Sequence, residues 1–237
     1  MNKKLLFLAA VVLSGCENGN IFSWTHSAGG SNSAEALMSD ADKAAYDGSY
    51  EDAIKYYDEI LRKDPGNSRA LYGKASAELK NSGLDLSEII PSFLEQDESA
   101  GKDLLGSLNL KKLEAGTGEA IDALKAIADG RGDGTIPSDD FDVNLNLGIA
   151  IAVNEMADLL NWAEASGAVE IKDDFSMEVI DDAPDELKDK LMEAKDAIEE
   201  AINYLKVAAS SSGNDINEVE SKFEVLLDSL DAEIDKL

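Results

Sequence analysis

AEALMSDADKAAYDGSYEDAIKYYDEILRKDPGN, residues 34–67, is the stretch on which the fold is read. Small residues fall at Ala41 and Ala53, a glycine at Gly48, tyrosines at Tyr50 and Tyr57, and a proline at Pro65. Two amphipathic helices turning near Gly48 account for that order. Ala41 and Ala53 let the paired helices approach closely. Gly48 and Tyr50 shape the turn, and Pro65 ends the second helix because its ring cannot continue the helical ladder.

This spacing resembles the tetratricopeptide repeat (TPR), a 34-residue helical hairpin. GSYEDAIKYYDEILRKDPGN carries the likeness most closely, while Leu37 replaces the usual Trp and Ala44 the usual Tyr. Residues 68–81 (SRALYGKASAELKN) resemble the first helix of a second repeat, with Leu71 and Ala75 at the matching positions. Residues 84–96 read as its divergent second half, interrupted by Pro91. A single repeat cannot bury its own face, so the helices that follow must cover it. The resemblance implies a groove for a protein partner of basic and apolar character, faced by Glu35, Met38 and Asp42.

Upstream, residues 1–4 carry two lysines, 5–13 form an apolar run, and Ser14-Gly15-Cys16 follows. The order is that of a signal peptide, and the run is too short for a permanent membrane span. Leu13-Ser14-Gly15-Cys16 resembles the lipobox of bacterial lipoproteins. That resemblance implies removal of residues 1–15 and lipidation of Cys16, with fatty acyl chains on its sulfur and its new amine. Each buried methylene contributes about 0.8 kcal/mol, so several chains make a durable anchor. Glu17 follows the cysteine, and the expected location is the cell envelope, lipid-anchored in the outer membrane and facing the periplasm. Residues 16–33, rich in Gly, Ser and Asn, read as a lipidated flexible tether.

Composition narrows the function. Acidic residues outnumber basic ones 49 to 21 in the 237-residue chain, a formal charge of −28 that disfavours nucleic acid as a partner. Few aromatics and four prolines favour an all-α protein. Cys16 is the sole cysteine and His26 the sole histidine, so thiolate or histidine metal sites and Ser–His or Cys–His nucleophile pairs lack their residues. The expected protein is not an enzyme.

The remaining chain reads as helices. Residues 103–114 and 119–129 are expected as two helices separated by Gly116-Thr117-Gly118, with Thr117 as N-cap of the second. Residues 141–153 are apolar at every odd position, a strand-like alternation, yet a helical stripe from Leu145 through Ala163 favours a long helix over 141–165. Residues 169–180 alternate around Asp173-Asp174, as in a short hairpin or an irregular excursion. Residues 184–209 form a helix with Pro184 in its first turn, 210–214 break it, and a last helix runs to about 236 behind an Asp215/Glu218 capping box. The resulting architecture is all-α: TPR-type helical hairpins over 34–96, followed by a helical bundle over 97–237 packed on them.

One connector has a second reading. DGRGDGTIPSDD, residues 129–140, resembles the calcium loop of EF-hands and dockerins. On that resemblance Asp129, Asp133 and Asp140 would offer carboxylates, Thr135 a carbonyl, and Ile136 would pack inward. Arg131 stands where a third oxygen ligand belongs, and a guanidinium cannot ligate a cation. The other reading is an acidic connector whose Arg131 pairs with a nearby carboxylate. Apart from the lipid on Cys16 and this possible Ca2+, no cofactor is implied. The expected function is a membrane-anchored adaptor that binds a protein partner, with a calcium- or small-ligand-binding lipoprotein as the alternative.

Overall fold

The structure is a computed structural model that describes residues 33–84, 109–167, 169–171, 177–179, 186–212 and 217–235. Cys16 and its tether, residues 85–108 and Pro184 lie outside the described residues, as do Asp173, Asp174 and Asp215.

The fold is all-α. Helix α1 is Ala34–Tyr46, α2 Tyr50–Lys63, α3 Ser68–Ser82, α4 Leu110–Ala128, α5 Phe141–Ser166, α6 Glu186–Ser212 and α7 Asn217–Ile234. Each packs chiefly on its neighbours in the described sequence, so the helices form an ordered array rather than a closed bundle. Between α5 and α6, strands β1 (Val169–Ile171) and β2 (Met177–Val179) pair antiparallel, with Val169 opposite Val179. This is the short hairpin read from the alternation.

Side-chain oxygens start four of the helices. Ser33 accepts from the Ala36 N–H, Asn67 from Ala70, Asn109 from Lys112 and Asp140 from Val143, all at 3.0–3.1 Å. Each satisfies a donor the helix cannot use internally. Gly48, with φ 78°, makes the α1–α2 turn, and Leu37, Ala41, Ala53, Tyr57 and Ile60 are buried between the two helices and α3. Helix α3 serves two cores. Ala70 and Ala77 face that hairpin, while Leu71, Ala75 and Leu79 join a larger cluster running through α4, α5 and α6 to Phe223 and Leu230 of α7.

Glycines set three of the crossings. A Cβ at Gly73 of α3 would strike the Tyr57 ring. One at Gly116 of α4 would lie 2.6 Å from Ser82 Cβ, and one at Gly148 of α5 2.9 Å from the Ala201 carbonyl of α6. Helices this close leave no room for a side chain at the contact.

Two expectations are corrected. Residues 110–128 are one continuous helix, and Thr117 is not an N-cap but a buried interior residue whose hydroxyl donates back to the Leu113 carbonyl at 2.8 Å. Gly-Thr-Gly reads as a break by propensity, about 1 kcal/mol for each Gly. Packing of Gly116 against α3 and burial of Thr117 outweigh it. Likewise α6 runs past the expected break at Ser210 to Ser212, with Ser210 and Ser211 donating to the Val207 and Ala208 carbonyls. The helical reading of 141–165 holds, because α5 buries residues of both parities: Val143, Leu147 and Ile149, but also Ala150 and Ala152. By length and composition Phe141–Ala163 could cross a bilayer, yet 61% of its apolar window is buried among the other helices.

Candidate docking groove

Because α4 is unbroken, Lys111, Ala115, Gly118 and Asp122 stand at i, i+4, i+7 and i+11 and share one face. That face is the floor of an open groove of about 550 Å³, bounded on the α5 side by Asn154. A smaller hollow of about 180 Å³ adjoins it on the α3 side, between Glu78, Ser82, Lys112 and Glu119.

The walls are tied down by polar contacts. Thr117 Oγ1 also lies 2.8 Å from Asn154 Oδ1, so its one hydroxyl proton has acceptors both within α4, at the Leu113 carbonyl, and on α5 beneath the groove. Glu114 leans to α5, where its carboxylate accepts from Asn161 Nδ2 at 2.7 Å. Glu119 leans the other way, to the Lys74 ammonium of α3 at 3.2 Å, which also meets Asp58 of α2 at 2.9 Å. Glu78 is half-buried beside them, and that burial pushes its carboxyl above the usual range against the pull of Lys74. The floor is formed by the small residues Ala115 and Gly118, the edges are charged, and no nucleophile–base pair among the described residues faces it. Such a surface can hold a helix or an extended segment.

The residues named from sequence fall elsewhere. Glu35 is exposed in the first turn of α1. Met38, 8% exposed, is part of the α1–α3 core rather than an open groove. Asp42 bridges within the array: Tyr57 Oη donates to it at 2.9 Å, and Arg69 of α3 forms an ion pair with it. Burial foremost, and the Asp42 charge next, push the Tyr57 phenol well above its usual range.

In the 129–140 connector the three carboxylates serve different ends and do not converge. Asp129 ends α4 and pairs with Arg131 at 3.1 Å. Asp140 caps α5. Asp133 accepts from the Thr135 N–H at 2.9 Å and hydroxyl at 2.7 Å, bonds that hold its carboxyl below the usual range. The Asp133 N–H donates to the Gly66 carbonyl at 2.7 Å, and Gly132 presses on Ser68, so the loop is fastened to the start of α3. Thr135 is exposed, while Ile136 packs against the larger core as expected.

Among the described residues, the acids that do come together are Glu155 and Asp158 of α5 with Glu193 of α6, their oxygens within 4.8 Å of one another. Lys190 donates to Glu193 at 2.8 Å and to Asp158 at 3.0 Å, and these bonds hold its ammonium pKa well above the usual value. The group is an ion-pair network between α5 and α6 whose cation is a lysine of the chain itself.

Reading a break at 116–118 hid the groove from sequence inspection. The i, i+4, i+7, i+11 spacing from Lys111 to Asp122 was the available signal. Compared with known protein families, curated proteins and solved structures, the chain matches none.

Proposed function

We propose that this chain is a lipid-anchored envelope protein that acts as an adaptor, holding a protein partner near the membrane rather than catalysing a reaction. The observation that carries the reading is the α4 groove: an open helix face with a floor of Ala115 and Gly118, edged by the charged side chains of α4 itself, with Glu78 on the α3 side and Asn154 on the α5 side. Burial of Leu37, Ala41, Ala53 and Tyr57 at the α1–α2–α3 junction is consistent with the TPR-type reading of that hairpin, and ordered helical arrays offer partners extended surfaces. Leu13-Ser14-Gly15-Cys16 supports the anchor, with the acyl chains on Cys16 inserted in the outer membrane.

Two measurements test it. Metabolic labelling with a fatty acid should mark the protein, and Cys16→Ser should abolish both the label and its recovery with membranes. A photocrosslinking residue at Ala115 should yield a discrete protein adduct in cells, while one at the exposed Asp235 should not. Adducts at neither or equally at both would remove the groove from the proposal.

A further inference from the structure

We infer that the partner segment in the α4 groove is basic, with an arginine side chain seated over Gly118 between the carboxylates of Glu114 and Asp122. This rests on the docking reading of the groove and names the chemistry of what docks.

Glu114, Gly118 and Asp122 stand at i, i+4 and i+8, one row along α4 on the side that faces Asn154 and Asn161 of α5. Each carboxylate is one helical turn from Gly118, about 6 Å of rise, the spacing at which acid and base pair along a helix. Among the described residues no base takes that place. The Glu114 carboxylate bonds the neutral amide of Asn161, and the exposed Asp122 makes no ion pair. Lys111 and Lys112 lie in the first turn of α4, about two turns away, and mark where the acidic stretch ends.

The space for a cation is supplied by Gly118. Its φ is not in the left-handed region, and a Cβ there would meet nothing closer than Asn154 Oδ1 at 3.8 Å. Unlike Gly73, Gly116 and Gly148, it is not required by the chain's own packing. A glycine inside a helix nonetheless weakens it. Here it leaves an opening between two carboxylates that lack a cation.

Asn154 adds a further acceptor. The one proton of Thr117 Oγ1 has three acceptors about it: the Leu113 carbonyl at 2.8 Å, the Glu114 carbonyl at 3.1 Å and Asn154 Oδ1 at 2.8 Å. With a helix carbonyl taking that proton, a half-turn of the Asn154 amide sets Nδ2 on Thr117 and gives the contact its hydrogen. Oδ1 is then the end of Asn154 left without a partner among the described residues, on a side chain that lines the groove beside Gly118. Two carboxylates and an amide oxygen ask for a group that only donates. A guanidinium offers five N–H donors in a flat fork and no acceptor, and it fits against a residue with no side chain. A second copy of the chain, with its formal charge of −28, or any acidic segment would set like charge against this row.

Fluorescence anisotropy of the full chain in neutral detergent tests the inference, the probe being a labelled peptide of alternating alanine and arginine. The native chain should bind it, and the same peptide with neutral citrulline for arginine should not bind. Glu114→Gln with Asp122→Asn should weaken binding by at least about tenfold. Glu224→Gln with Asp228→Asn, an equal loss of charge on the exposed face of α7, should leave it within about twofold. Gly118→Lys should raise the melting temperature, because the new ammonium pairs with both carboxylates, and should weaken the peptide by at least about tenfold. Equal losses from the α4 and α7 variants would mean attraction by net charge alone and would overturn the inference. So would equal binding of the citrulline peptide, or a copy of this chain as the sole adduct at Ala115 in cells. If the arginine peptide does not bind while Ala115 captures a different envelope protein, the basic segment falls and the adaptor reading stands. If the peptide binds as expected while Ala115 yields no adduct in cells, the groove keeps its basic ligand and the adaptor reading falls.

Discussion

The main-chain N–H of Asp133 donates to the carbonyl of Gly66 at 2.7 Å, joining the α4–α5 connector to the turn that leads into α3. Gly132, packed on Ser68, completes the join, so a loop resembling a calcium site works as a clip between the N-terminal hairpin and the larger core. The Asp133 side chain shapes this clip by accepting two bonds from Thr135.

Asp133→Ala should therefore destabilise the protein by about 1 kcal/mol, the net worth of a hydrogen bond or two at an exposed site. Urea unfolding checks the magnitude. Hydrogen exchange should show faster exchange of the first α3 amides, with α6 unchanged.

Opposite pH slopes are expected at two acids. The Asp133 carboxyl is held low in the fold, so its stabilisation is present above the unfolded carboxyl pKa and lost as pH falls through the lower folded value. Glu155 is held high, chiefly by burial and then by Asp158. Its contribution is present below the unfolded pKa and lost as pH rises through the folded value. Glu155→Gln should thus raise the melting temperature at neutral pH and show no gain in acid. Asp133→Asn should lower it at neutral pH and converge with the native chain in acid. A melting series across pH reads both.

Glycine-to-alanine changes should differ in sign by position. At Gly148 the new Cβ would lie 2.9 Å from the Ala201 carbonyl and 3.0 Å from Leu205 Cγ, a backbone and a buried side chain with little room to move. Overpacking of about 1–3 kcal/mol should exceed the helix-propensity gain of about 1 kcal/mol. At Gly118 only the gain remains, and Gly118→Ala should stabilise the fold by up to about 1 kcal/mol. Chemical denaturation of the two variants side by side decides the comparison.

Tyr57→Phe should cost about 0.5–1.5 kcal/mol, because it removes the hydroxyl donated to Asp42 while keeping the ring against Gly73. Combined with Arg69→Ala, the loss should be non-additive, since both groups serve the same carboxylate. A double-mutant cycle measures that coupling.

Much of the architecture was legible along the chain. The α1–α2 hairpin followed from Ala41, Gly48, Ala53 and Pro65, and the long α5 followed from a helical stripe that competed with a strand-like alternation. The short ribbon at 169–179 was visible in its alternation. The reading failed at 116–118, where Gly-Thr-Gly has the local chemistry of a stop. It also placed Met38 and Asp42 on a free face, although one belongs to a core and the other to an internal ion pair.

The residue pattern by itself determined what depends on near neighbours: the helical periods and the all-α class, while the caps at Ser33, Asn67 and Asp140, also local, were seen only in the structure. Tertiary structure decided what depends on contacts between distant segments. Ser82 against Gly116 and Asn154 against Thr117 keep this stretch inside α4, and Gly66 holds the Asp133 main chain toward α3. The reason is energetic: local preferences are worth about 1 kcal/mol per residue, whereas burying a large side chain contributes about 1.5–3 kcal/mol. Where the two conflict, packing partners absent from the local sequence prevail, and the groove along α4 is the outcome.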